Sequence, residues 1–142
     1  MAGFYVISDI SDRPMRKLPT SSLTAAIGDL LELTAGATTW AKTTSTTDHF
    51  TRKAIVMETA TSSSSILCME LTGTEEVVCD ATAAGNTAHN GDRMALTDEN
   101  AVNNSGSDVT GQAVAFLQTG IVGTTKVKGY VLTGSGVDPD AS

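Results

Sequence analysis

Short runs of alternating apolar and polar residues recur along the chain, separated by clusters of turn-forming residues. The clearest are "LLELT", "KAIVMET", "SILCMEL", "EEVVCDAT", "NGDRMALT", "QAVAFLQT" and "KVKGYVL". A period of two places one face of a β-strand against a core and the other face in solvent. The best helix candidate, "GDRMALTDENAVNN", carries Thr, Asp and Asn where a helix interior needs better helix formers. The pattern therefore predicts an all-β protein with a small barrel-like body.

A Gly-Asp pair opens two similar segments, "IGDLLELTA" and "NGDRMALTD". Glycine adopts a positive φ at low cost, and an Asp carboxylate accepts hydrogen bonds from nearby backbone donors, so each pair predicts a corner that leads into a strand. Each corner is followed by a strand, a long polar loop, a strand, a loop and a strand. Aligning Gly28 with Gly91 brings "AIVMET" near "VAFLQT" and "ILCMEL" near "VKGYVL". This order predicts an internal duplication of residues 27–82 and 90–132, with chance recurrence of a short motif as the alternative.

Residues 1–26 differ from the rest and predict an extended, exposed N-terminal arm that precedes a β-rich body at 27–142. Pro14 and Pro19 lack the donor that a central strand requires. We expect residues 2–20 to contribute little to the core. The arm is expected to contact a neighbouring copy or another protein, by strand addition through its apolar part and by attraction of its basic part to an acidic surface. The residues predicted to make these contacts are Phe4, Tyr5, Val6, Ile7, Arg13, Arg16 and Lys17.

Length and charge narrow the class of protein. A chain of 142 residues forms one domain or two small halves that share a core. Its net charge of −7 argues against nucleic acid as a partner, because binding phosphates requires a concentrated positive face. No apolar run approaches the length that spans a membrane, and the first basic residues follow the apolar run "FYVIS", the reverse of a secretory signal. We expect a soluble protein made in the cytosol.

The side chains that usually carry chemistry do not form a recognisable site. His49 and His89 are not spaced with Cys68 or Cys79 as zinc ligands are, so we expect no metal. Residues 62–65 predict a flexible polar loop and not a nucleophile elbow, and the acidic residues lie in solvated turns. The sequence predicts a protein without enzymatic activity or cofactor.

The two cysteines fall in "ILCMELTGTEEVVCDA". A hairpin that turns at Gly73 and Thr74 would place Cys68 directly opposite Cys79, close enough for a disulfide at a non-hydrogen-bonded pair. The alternative is a pair of buried, reduced thiols, which a reducing cytosol favours. We expect the reduced form.

The segments "IGDLLELTAG", "HNGDRMALTDEN" and "QAVAFLQTGIVGTTKVKGYVL" together resemble the head decoration, or cement, proteins of tailed bacteriophages. The resemblance covers most of residues 27–132. It implies a small β-barrel-like or β-tulip-like protein, commonly a homotrimer, that lies on the outer capsid surface of the virion. There it would bridge neighbouring subunits of the major capsid protein and resist the pressure of packaged DNA, after synthesis in the host cytoplasm. It carries over no catalytic residues and implies no partner for residues 1–26.

Two alternatives to this interpretation stay open. A phage tail or fibre component is also structural and would have a similar composition. The run "GDLLEL" also resembles the Gly-Asp turns of lipoyl-type carrier domains, but the predicted hairpin tip "TGTE" lacks the lysine that such domains carry.

Overall fold

A computed structural model describes residues 3–8, 14–105 and 113–134, and these residues form an all-β structure. Beside the strands, they contain one short 3-10 turn, Thr87–His89. The predicted all-β class is confirmed. The strands are β1 (Tyr5–Val6), β2 (Arg16–Ala25), β3 (Leu30–Leu33), β4 (Ala41–Lys42), β5 (Arg52–Val56), β6 (Ala60–Glu70), β7 (Glu76–Ala81), β8 (Arg93–Asp98), β9 (Ala101–Asn103), β10 (Phe116–Val122) and β11 (Lys126–Val131).

The strands form two sheets. The first sheet has the order β2-β6-β5-β3-β4, and the second has the order β1-β7-β11-β10-β8-β9. Each sheet curls back on itself. In the first, a parallel bridge joins Thr20 to Trp40, beside β4. In the second, β7 pairs in parallel with β9 at Asp80 and Ala101. Both sheets are therefore barrel-like.

The two sheets repeat one topology, if β1 is set aside. We call β2 to β6 the first half and β7 to β11 the second half. In each half the first strand lies beside the fifth, followed by the fourth, the second and the third. The pairing registers agree as well. In the first half Leu30 pairs with Ile55, and Ile55 pairs with Met69. At the equivalent positions of the second half Arg93 pairs with Leu117, and Leu117 pairs with Tyr130. The repeated sequence pattern therefore corresponds to a repeated strand order, although the halves begin at β2 and β7, earlier than residues 27 and 90.

The first Gly-Asp corner is held by three backbone hydrogen bonds. Gly28 has a φ of 98°, and its N–H donates to the carbonyl of Val56 at 3.0 Å. Val56 N–H donates back to Asp29 O at 2.9 Å, and Asp29 N–H donates to Ala26 O at 3.1 Å. The Asp29 carboxylate also accepts from Ala26 N at 3.0 Å, a donor that precedes it in the chain.

The second corner repeats the backbone bonds of the first. Gly91 has a φ of 90°, and it donates to Gln118 O at 2.8 Å. Gln118 N–H donates to Asp92 O at 3.1 Å, and Asp92 N–H donates to His89 O at 2.9 Å. Because a positive φ is strained for other residues, glycine is required at both corners. The Gly-Asp pair occurs twice because the same corner is built twice.

Two clusters of buried side chains lie on opposite faces of the first sheet. The first core contains Leu31, Ala54 and Cys68, and the second core contains Leu30, Ile55 and Met69, which precede or follow them in the same strands. Successive residues of a strand point to opposite faces, so β3, β5 and β6 are buried on both sides. The prediction that each strand buries one face only is wrong for β3, because Leu30 and Leu31 are both fully buried.

Three loop predictions are wrong. Residues 62–65 belong to β6, where Ser63 and Ser65 pair with Leu23 and Pro19 of β2. Pairing with a neighbouring strand outweighs the weak strand preference of serine. The long polar stretch after Leu33 contains β4 and the buried Trp40, and the stretch after Asp98 contains β9.

The predicted hairpin that brings Cys68 and Cys79 together is also wrong. Strand β6 pairs with β2 and β5 in the first sheet, whereas β7 pairs with β1, β11 and β9 in the second. Cys68 lies in the first core and Cys79 in the second, and both are free thiols. The turn at Gly73 therefore connects two sheets instead of two paired strands.

Candidate functional site

The first described residues of the predicted arm are part of the second sheet. Phe4 is fully buried in the second core, and its N–H donates to Gly28 O at 2.7 Å. Tyr5 and Val6 pair with Val78 and Val77 of β7. The prediction of an exposed arm is wrong for these residues, because their burial and pairing make them a sixth strand of the sheet. Ile7, by contrast, is 46% exposed.

The basic part of the predicted arm is divided in the same way. Arg13 lies outside the described residues. Arg16 and Lys17 begin β2, where they pair with Cys68 and Leu67 of β6, so their backbone belongs to the body and not to a separate arm. Their side chains are 58% and 57% exposed. These two residues keep the accessibility that a contact surface requires.

A cluster of two arginines around one carboxylate lies beside the start of β2, and we call it the basic end. Arg16 Nη2 donates to Glu70 Oε1 at 2.9 Å. Arg52 donates from Nε and Nη2 to the two oxygens of Glu70, each at 2.7 Å. The Arg52 guanidinium also lies 5.5 Å from the centre of the Trp40 ring, within range of a cation–π contact. Two cations share one anion, which leaves the basic end with a surplus positive charge on an acidic protein.

The carboxylates of this region are held in the charged form. Hydrogen bonds from Arg52 lower the pKa of Glu70, and the charge of Arg52 and the contact with Arg16 add to the effect. Lys17 donates to both oxygens of Glu58, and together with the N–H of Leu67 it lowers the pKa of Glu58. The hydrogen bond to Glu70 in turn raises the pKa of Arg52. Glu58, Glu70 and Arg52 therefore stay charged at neutral pH.

The cysteines are arranged for packing and not for reactivity. Burial raises the pKa of Cys68 to about 12, and the nearby Glu58 carboxylate adds to the effect. Burial also raises the pKa of Cys79 well above its ordinary value. A thiolate is the nucleophilic form of cysteine, so both thiols are inert at neutral pH.

A cluster of amide side chains lies at the second Gly-Asp corner. Gln118 is fully buried, and its Nε2 donates to Asn86 O and to Asn90 Oδ1, both at 3.0 Å. His89 Nδ1 lies 3.0 Å from Asp92 Oδ2. Among the described residues, no group of three His, Cys, Asp or Glu side chains is placed to hold a metal ion. The amides bind the corner to β10, which is a structural role.

The "RPMRK" run of the sequence indicates one member of the basic end, Arg16, and the neighbouring Lys17. It does not indicate Arg52 or Glu70, which join Arg16 through the pairing of β2 with β6 and of β6 with β5. Nor does it indicate Trp40, which is bridged to Thr20 of β2. The segment "KAIVMET" predicts a strand but not the neighbours of that strand. Only the sheet order brings these residues together.

Comparisons of this chain with models of protein families, with curated proteins and with solved structures found no match. Within the described ranges, no helix has the length and apolar character needed to cross a membrane.

Proposed function

We propose that this protein is a structural component of a phage virion, which binds the outer surface of the capsid and stabilises it by bridging neighbouring major capsid subunits. The supporting observation is the pair of Gly-Asp corners, since the segments that carry the resemblance to decoration proteins are the ones that build the same corner and strand in each half. The proposal includes self-association as a homotrimer, with no enzymatic activity and no binding of nucleic acid.

The capsid contact uses the basic end together with Lys17. These cations stand on a chain of net charge −7, so they are the part of its described surface best suited to an acidic partner. Arg16 and Lys17 are more than half exposed, whereas Phe4 is buried and supports the fold instead. The proposed capsid contact therefore uses the start of β2 and not the whole of the predicted arm at residues 1–26.

Capsids of the source phage that lack this protein provide the test. Purified protein is added, and its occupancy is measured by cryo-electron microscopy together with the temperature at which the capsids release DNA. We expect ordered density on the outer surface and a higher release temperature. The absence of bound density at saturating protein would refute the proposal.

A charge-neutralising variant tests the basic end. Arg16→Gln with Lys17→Gln removes two exposed cations and should weaken capsid binding, with a loss that shrinks as salt rises. The matched control is Lys42→Gln, which removes a lysine that lies 3.7 Å from Asp29 and 3.5 Å from Glu99 in another part of the first half. Equal binding by both variants would place the contact elsewhere on the body.

A further inference from the structure

The outer face of the second sheet carries a row of side chains that cross four strands. Glu76 of β7 pairs with Tyr130 of β11, Tyr130 pairs with Leu117 of β10, and Leu117 pairs with Arg93 of β8. Residues directly opposite one another in a sheet point to the same face. We call Glu76, Tyr130, Leu117 and Arg93 the outer row. With strands about 4.8 Å apart, the row is about 14 Å long.

The outer row has a counterpart in the first half, and the counterpart is an interface. Leu30, Ile55 and Met69 occupy the positions of Arg93, Leu117 and Tyr130 in the repeated register. These three residues are at most 2% exposed, and they lie in the second core, which the second half also lines. This face of the repeated fold is thus able to bury itself against another barrel-like sheet.

The outer row itself is half-buried and has the chemistry of a protein contact. Leu117 and Tyr130 form an apolar centre, and Glu76 and Arg93 flank it with opposite charges. Beyond Glu76, the N–H of Ile7 donates to Glu76 O, and the Ile7 side chain is 46% exposed. An apolar centre that includes tyrosine and is bordered by charged groups is typical of interfaces between proteins.

We propose that the outer row binds the outer row of a second copy of this chain across a twofold axis. Two sheets stack face to face about 10 Å apart, with a twofold axis in the plane between them. An axis parallel to β10 and β11, and lying between them, reverses the row. Glu76 then faces Arg93 of the second copy, and Tyr130 faces Leu117.

The charges of Glu76 and Arg93 favour this axis over the other twofold axis in the plane between the sheets. An axis along the row would place Glu76 over Glu76 and Arg93 over Arg93, and like charges in contact are unfavourable. The reversed row matches opposite charges at both ends and keeps the apolar centre together. The contact extends the proposed function, since a twofold contact and a threefold contact use different surfaces of one chain and can link homotrimers to each other. It does not require a capsid.

Charge reversal tests the proposal without a capsid. Glu76→Arg gives a row with two cations, and Arg93→Glu gives a row with two anions, so neither variant should bind itself. A mixture of the two variants restores both charge pairs and should associate. The combined variant, Glu76→Arg with Arg93→Glu, should also associate with itself. Sedimentation velocity measures particle mass for each sample at equal total protein, over a range of concentration and salt.

The expected result is a mass in the mixture, and in the combined variant, about twice that of either single variant. Glu99→Arg is the matched control, because it makes the same change of charge in the turn between β8 and β9, outside the outer row, and it should behave as the unmodified protein. Circular dichroism checks that every variant is folded.

A mixture that sediments as the simple sum of its two components would overturn the proposal, as would single variants that associate like the unmodified protein. Disulfide trapping supplies a test that leaves the charges intact. Tyr130→Cys in one copy and Leu117→Cys in another should form a covalent dimer when mixed and oxidised. The absence of that dimer under conditions in which the unmodified protein self-associates would also refute the twofold contact.

Discussion

Replacing Phe4 by alanine distinguishes a strand of the body from a peripheral arm. Phe4 is fully buried in the second core. A phenylalanine side chain buries about 200 Å², which at about 25 cal/mol per Å² corresponds to roughly 5 kcal/mol before relaxation. Measured losses for Phe→Ala in cores are about 3–5 kcal/mol, because the surroundings collapse only in part. We therefore expect the free energy of unfolding to fall by about 3–4 kcal/mol.

Urea denaturation followed by far-ultraviolet circular dichroism measures this change. With a denaturant slope of about 2 kcal/mol per M, the midpoint should fall by about 1.5–2 M. The matched control is Phe50→Ala, since Phe50 is 67% exposed and its loss should change stability by about 0.5 kcal/mol or less. If Phe4→Ala lowered stability by less than about 1 kcal/mol, residues 3–8 would be the dispensable arm that the sequence predicts.

Three further predictions concern the corners, the thiols and the acid limb of stability. Substituting Gly28 or Gly91 by alanine should cost about 1–2 kcal/mol in urea denaturation at either corner, because both φ values are positive, and a clear difference between the two would show that the corners are not equivalent. Cys68 and Cys79 should not react with a thiol reagent at pH 8 until the chain unfolds, since burial raises both pKa values; mass spectrometry of the labelled protein checks this. The pKa of Glu70 is lowered in the fold, so its contribution to stability is present above its ordinary pKa and lost as pH falls through the lowered value; Glu70→Gln should therefore flatten the decline in stability below about pH 4.5, and an unchanged decline would contradict the role of the arginine contacts.

The alternation of apolar and polar residues predicts most strands of this protein, because the two faces of a strand are formed by alternate residues of one short segment. The repeated strand order was also accessible, since the Gly-Asp corners mark equivalent points in each half. What local pattern does not determine is the partner of each strand. The turn at Gly73 looks like a hairpin, yet β6 and β7 belong to different sheets. Likewise "ATSSSS" has the composition of a loop, but its residues extend β6 because β2 lies alongside.

The arm prediction was wrong for a related reason. Prolines and charged residues are typical of segments outside a sheet, but they are equally typical of edge strands, which they protect from pairing with other chains. Pro19 lies within β2, and its carbonyl accepts from Trp40 N at 2.8 Å. Composition alone does not separate these two situations. The long-range pairing of β2 with β6 decides between them.

The two halves provide an internal comparison where no relative of the whole chain is matched. In the repeated register Arg16 corresponds to Val77, because Arg16 pairs with Cys68 and Val77 pairs with Gly129. Lys17 corresponds to Val78 in the same way, since Lys17 pairs with Leu67 and Val78 pairs with Lys128.

Strand β1 covers the two valines by pairing with them. Within the described ranges, no strand pairs with β2 on that side along Arg16 and Lys17, and both side chains are exposed. The backbone is equivalent at these positions in the two halves. The fold itself therefore does not require basic residues at 16 and 17, where the second half has valines.

The outer row also differs between the halves, since Leu117 and Tyr130 are half-buried whereas the equivalent Ile55 and Met69 of the first half are fully buried. Two halves with the same backbone need similar side chains wherever the fold alone decides the packing. Where the side chains at equivalent positions differ, the difference reflects the surroundings of each half. At the basic end and at the outer row these differences affect accessible side chains, which is why both proposals for contact surfaces rest on them.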